Sequence, residues 1–134
     1  MIKKTLLLGL AGLLLASCNM GEKSSTIVSE QAQKRWDALI AGNLQSAYQY
    51  YSDSFKKTVP YEHFSHKVKG VGLWSKAKVQ KVTCNKENSS CEAEVKVTVA
   101  MRMRGIAKPI ETSNTLKETW QKEGTFSSWQ YVSK

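Results

Sequence analysis

The stretch "CEAEVKVTVAMRMR", residues 91–104, alternates in character at every position. Ala93, Val95, Val97, Val99, Met101 and Met103 share one face, and Glu92, Glu94, Lys96, Thr98, Arg102 and Arg104 share the other. A period of two is the repeat of a strand with one dry and one wet face. Upstream, Val71, Leu73, Ala77 and Val79 have one parity, whereas Val82 and Cys84 have the opposite one. With Cys84 opposite Cys91, Val82 faces Ala93. One extra residue at Gln80 or Lys81 then brings Val79 opposite Val95 and Ala77 opposite Val97, so a bulge there keeps the apolar residues on the core face. In this register Trp74 falls on the wet face opposite Ala100, where an exposed tryptophan beside small residues is a candidate contact centre.

After the turn "GIAKP", residues Ile110 to Lys122 read as a third strand with Leu116 and Trp120 in phase. Gly124 starts a connection to a fourth, from about Phe126 to Val132.

Before Val71 the period is helical. Val28, Ala32, Trp36 and Leu39 recur at four, four and three residues, with Gln33, Lys34 and Asp37 off their face. Ser25 or Thr26 can cap this helix, and "AGN" at 41–43 ends it. Leu44, Ala47, Tyr48 and Tyr51 repeat the pattern over a shorter helix, and Phe55 plugs the turn that follows. Pro60 suits a first helical turn, Phe64 and Val68 mark one face of a third helix, and Gly70 closes it. Three helices followed by an antiparallel sheet is an α+β plan.

The chain has 134 residues and three cysteines. Lys3 and Lys4 precede an apolar run from Thr5 to Ala16 that is too short to cross a bilayer, so residues 1–17 read as an export signal. "LASC", Leu15 to Cys18, resembles the lipobox of bacterial lipoproteins, whose cysteine is acylated and becomes the new N-terminus. The alternative is ordinary secretory cleavage with a free thiol. Acylation implies attachment to a membrane through buried chains, because nothing else in the mature chain reads as amphipathic enough. Asn19 stands where an Asp would signal retention at the inner membrane, so the resemblance implies an outer-membrane site facing the periplasm. Residues 18–26, "CNMGEKSST", then form a polar tether, and residues 27–134 form one domain.

In that oxidising compartment Cys84 and Cys91 are expected to pair across the polar spacer Asn85–Ser90. Zinc would need more ligands than lie nearby, and no metal or other cofactor is assigned. The formal charge is +9 from 20 basic and 11 acidic residues. Export and the lack of an aromatic-plus-basic module argue against nucleic acid as the partner, leaving a solvated basic surface.

The segments "WDALIAGNLQSAYQYYSDSFK", "PYEHF" and "LKETWQKEGTFSSWQYV" resemble the nuclear transport factor 2-like superfamily over nearly the whole mature chain. The resemblance implies a cone: three helices packed in a strongly curved, mostly antiparallel sheet of four to six strands. Members include ketosteroid isomerases, dehydratases, pocket binders and dimeric interaction modules, so the fold alone does not select a function. The enzymes place an acid and a base, commonly Asp with His or Tyr, in the cavity.

Titratable candidates here are few. His63 and His66 flank the Phe64 face, Asp37 faces away from the apolar stripe, and Asp53 sits where a carboxylate ties a turn. Glu118 shares parity with Leu116 and Trp120 and so is the acid placed to enter the core; the alternative is an edge carboxylate paired with a lysine. No catalytic residue is assigned. The resemblance implies that Trp36, Tyr48, Tyr51, Glu118, Trp120 and Tyr131 converge on a cavity suited to a small apolar or aromatic ligand. The expected function is non-catalytic binding of such a ligand or of an envelope protein. The alternatives are an isomerase or dehydratase using a cavity carboxylate, and a homodimeric scaffold.

Overall fold

The computed structural model describes residues 20–68, 70–122 and 128–134. Cys18, Gly124 and Phe126, and the expectations resting on them, lie outside these residues. Helices α1 (Met20–Ile40), α2 (Leu44–Gln49), α3 (Asp53–Thr58) and α4 (Tyr61–Lys67) precede strands β1 (Trp74–Cys84), β2 (Ser90–Met101), β3 (Ile110–Lys122) and β4 (Trp129–Val132).

The apolar stripe of α1 is its buried face: Val28, Ala32, Trp36 and Leu39 all lie in the core. The helix starts at Met20 rather than at a Ser25 or Thr26 cap, so the segment read as a tether is helical from Met20 onward. Once a helix is nucleated, Glu22 and Lys23 extend it at little cost, and serine and threonine do not stop it. At the other end Gly42 takes φ 77°, and Asn43 N–H donates to the Ala38 carbonyl at 2.8 Å. Asn43 Oδ1 also accepts from Ser46 N–H at 3.2 Å, so one short turn closes α1 and caps α2. Phe55 does not plug a turn. It lies within the extra helix α3, which Ser52 caps through Phe55 N–H at 3.2 Å, and its ring packs tilted against that of Tyr51 at 4.7 Å.

The sheet is an antiparallel meander in the order β1-β2-β3-β4. Cys84 pairs with Cys91, Val82 with Ala93, Val79 with Val95 and Ala77 with Val97, and the register slips between Val79 and Lys81. The extra residue is Gln80, and the bulge keeps the apolar residues of both strands on one face. A second slip separates Trp74 from Lys76, so Trp74 pairs with Val99 rather than Ala100. That slip reverses its parity. Trp74 packs against the core with its ring edge-on to Trp36 at 5.3 Å, which overturns its reading as an exposed contact centre with Ala100.

The architecture is α+β, with four antiparallel strands in an open, uncurled sheet whose core face the helices cover. α1 covers the β1 edge: Gln33 Nε2 donates to the Ala77 carbonyl at 2.8 Å, and its Oε1 accepts from Val79 N–H at 3.0 Å. The chain after α2 covers β4, with Ser52 N–H donating to the Tyr131 carbonyl at 2.9 Å and Tyr131 N–H to that of Tyr50 at 2.6 Å. These bonds satisfy edge groups at Ala77, Val79 and Tyr131, whereas β3 before Thr119 has no strand beyond it among the described residues. Trp120, Leu39, Val28 and Val95 are the largest fully enclosed core side chains other than cysteine. Met101 and Met103, expected on the core face, are exposed because the β2–β3 hairpin extends beyond the helices.

Candidate functional site

Glu118 keeps the parity of Trp120 and so points inward, opposite the small residue Ala93, which leaves room for a carboxylate. It is 5 % exposed. Its partner comes from α1 and is an arginine: Arg35 Nη1 donates to Glu118 Oε1 at 2.8 Å. Trp36 Nε1 donates to the same oxygen at 2.7 Å, and Trp120 Nε1 to Oε2 at 3.3 Å. Arg35 Nη2 donates to the Tyr51 hydroxyl at 3.0 Å. The guanidinium lies 3.8 Å from the centre of the Tyr131 ring and 4.9 Å from that of Tyr51, within cation–π range. Arg35 Nε, also buried, has no hydrogen-bond partner.

Burial opposes the Arg35 charge, but Glu118, Tyr51 and Tyr131 outweigh it and raise its pKa above the ordinary arginine value. Burial also raises the Tyr131 phenol, with Arg35 pulling the other way. The cluster is thus a charge-compensated pair inside aromatic walls, in which Glu118 accepts three hydrogen bonds and Arg35 is bonded through Nη1 and Nη2.

Above the pair opens a pocket of about 380 Å³, in the size range of small-molecule sites. Its walls include Trp36, Leu39, Tyr51, Val68, Trp74 and Tyr131; Arg35 and Glu118 form its polar patch, and Leu116 and Lys117 line it from β3. Lys117 is itself paired with Glu92 at 3.3 Å on the exposed face.

Trp36, Tyr51, Glu118 and Tyr131 therefore meet at this pocket. Trp120 lies beneath the site, fully buried, and reaches it only through its bond to Glu118. Tyr48 is turned away: its hydroxyl donates to the Val59 carbonyl at 2.7 Å and its ring packs on Tyr61 and Phe64. His63, His66, Asp37 and Asp53 are exposed and take no part. The residue that sequence reasoning missed is Arg35. Its signal was present: it lies three residues after Ala32 and four before Leu39, a charge in the middle of an apolar stripe. Cys84 and Cys91 form the expected disulfide. Among the described residues no group of three or more His, Cys, Asp or Glu is placed to hold a metal ion.

No family model matches the chain, and no curated protein does. Among solved structures it is similar to a protein from Xanthomonas campestris pv. campestris described as a "putative polyketide cyclase". That likeness has a TM-score of 0.40 at 10% identity, covering 83% of this chain and 93% of the other.

Proposed function

We infer that this chain is a lipid-anchored protein of the cell envelope whose nuclear transport factor 2-like domain binds a small, largely apolar or aromatic ligand without transforming it. The pocket's composition carries the binding reading: aromatic rings on several sides and one charge-neutral polar patch, Arg35–Glu118, to orient the ligand. Catalysis is the weaker use of the same geometry. Arg35, Trp36 and Trp120 already occupy three of the roughly four acceptor sites of the Glu118 carboxylate, so a substrate proton could be taken only at one side of Oε2.

Titration with the neutral fluorophore N-phenyl-1-naphthylamine tests the binding reading. Saturable binding that weakens at least tenfold in Leu116→Glu supports it, because Leu116 is 42% exposed and its substitution costs the fold little. Equal binding by both proteins, or none, would contradict it. The anchor and its outer-membrane address rest on the lipobox-like Leu15–Cys18 and on Asn19. Cys18→Ala is expected to abolish metabolic labelling by palmitate, and a labelled variant would remove that part of the reading.

A further inference from the structure

Every residue from Met101 to Lys117 is exposed, so the end of the β2–β3 hairpin stands free of the helical layer. Met101, which pairs with Ile110, is 48% exposed, Met103 53%, Ile106 50% and Ile110 40%. Arg102, Arg104 and Lys108 lie among these residues, with no acidic residue between Met101 and Ile110. Gly105, at φ 83°, and the bond from Ile106 N–H to the Met103 carbonyl at 3.2 Å set the turn.

Isolated exposed apolar residues are ordinary, but a contiguous group interleaved with cations is not. A nucleic acid would engage the cations and leave the apolar side chains in water. A second copy meeting this patch face to face would oppose like charges. An anionic bilayer satisfies both: apolar side chains enter the acyl boundary while the long stems of arginine and lysine carry their charges to the phosphates.

We propose that the β2–β3 tip, centred on Met103 and Ile106 and flanked by Arg102, Arg104 and Lys108, docks on the surface of an anionic phospholipid bilayer. This is a membrane contact separate from the pocket and additional to any acyl chain. It lies at the opposite end of the domain from the start of α1. Ser25 and Glu30 neighbour Gln80–Val82, whereas Trp36 meets Trp74, and the twelve residues of β2 span roughly 35–40 Å. An acyl anchor at Cys18 together with a docked tip would lay the domain lengthwise along the bilayer.

The test uses the full chain with Cys18→Ala and one added cysteine, Ala107→Cys at the tip or Lys86→Cys at the opposite end, each spin-labelled. Accessibility to oxygen and to a water-soluble nickel chelate is read on vesicles. On phosphatidylglycerol vesicles the Ala107→Cys label is expected to gain oxygen contact severalfold and lose nickel contact, while the Lys86→Cys label stays in water. Phosphatidylcholine vesicles are expected to leave both unchanged. Arg102→Glu with Arg104→Glu, and separately Ile106→Glu, are expected to abolish the gain, with loss of tip affinity of roughly fivefold for each cation removed. These residues are exposed, so melting curves are expected to match the parent, and retention of the gain by either folded variant overturns the proposal. An unchanged Ala107→Cys label, an equal response on neutral vesicles, or immobilisation that grows with protein concentration without lipid also overturns it, the last marking a protein-contact surface.

Discussion

Arg35 Nη1 and Glu118 Oε1 meet at 2.8 Å inside the domain, joining the middle of α1 to β3 across 83 residues of sequence. Both side chains are nearly inaccessible, so losing either one strands a buried charge. Arg35→Met alone and Glu118→Leu alone are each expected to cost about 3–5 kcal/mol, and the double variant less than the sum of the two. Urea unfolding of the four proteins checks this. Strict additivity would mean that the two groups do not act as a pair.

The same cluster sets an alkaline limit. A phenol whose folded pKa lies above its unfolded value contributes stability that is fully present below about pH 10 and is lost as pH rises through the folded value, which describes Tyr131. Arg35, also raised, keeps its charge over that range. The melting temperature is expected to fall once pH rises above about 10, and Tyr131→Phe to fall less steeply. Equal slopes in the two proteins would contradict this.

Gly70 holds the pocket's Trp74 wall in place. Its φ is 105°, and a Cβ there would sit 2.5 Å from Trp74 Cε2. Gly70→Ala is expected to cost about 1–3 kcal/mol and to shift tryptophan emission as the ring is displaced. Gly42→Ala has a strained φ of 77° but open space around it, so it is expected to destabilise without changing the emission. Identical spectra for the two variants would show that Trp74 is not held by Gly70.

The sheet was legible because its signal is periodic. Alternation along residues 91–104 and the parity break before Val82 located the Gln80 bulge, since a missed slip would have turned an apolar half-strand to water. The bulge before Lys76 was illegible because Val71 and Leu73 share the core parity of Ala77 and Val79 only without it: two apolar residues favoured a regular ladder against Trp74 alone, yet Leu73 is exposed and Trp74 packs on the core. Glu118 could be read from strand parity, but its partner could not. Arg35 was masked by Trp36 beside it, and a helical stripe defined by its apolar members passes over a charge lying on it. The exposed tip escaped notice for the opposite reason: the alternation continues through Met103, while burial ends where the helices stop.

The disulfide between Cys84 and Cys91 closes a loop with a sequence separation of 7 residues. On loop entropy, its reduction is expected to cost roughly 2–3 kcal/mol. The domain is expected to stay folded, because Cys91 is itself a core residue and, once reduced, remains a small apolar side chain packed with Trp120 and Leu39. Loss of all tertiary signal on mild reduction would contradict this.

The most direct measurement of the binding pocket is a nitrogen-15 titration of the tryptophan indole N–H signals with 1-naphthol. Trp36 and Trp74 line the pocket, whereas Trp120 and Trp129 are core residues outside its lining. A ligand-binding pocket predicts saturable shifts of the Trp36 and Trp74 signals, with a smaller one at Trp120 through its bond to Glu118 and that of Trp129 moving far less. Shifts that never saturate, or that are equal at all four indoles, would contradict a pocket over Arg35 and Glu118.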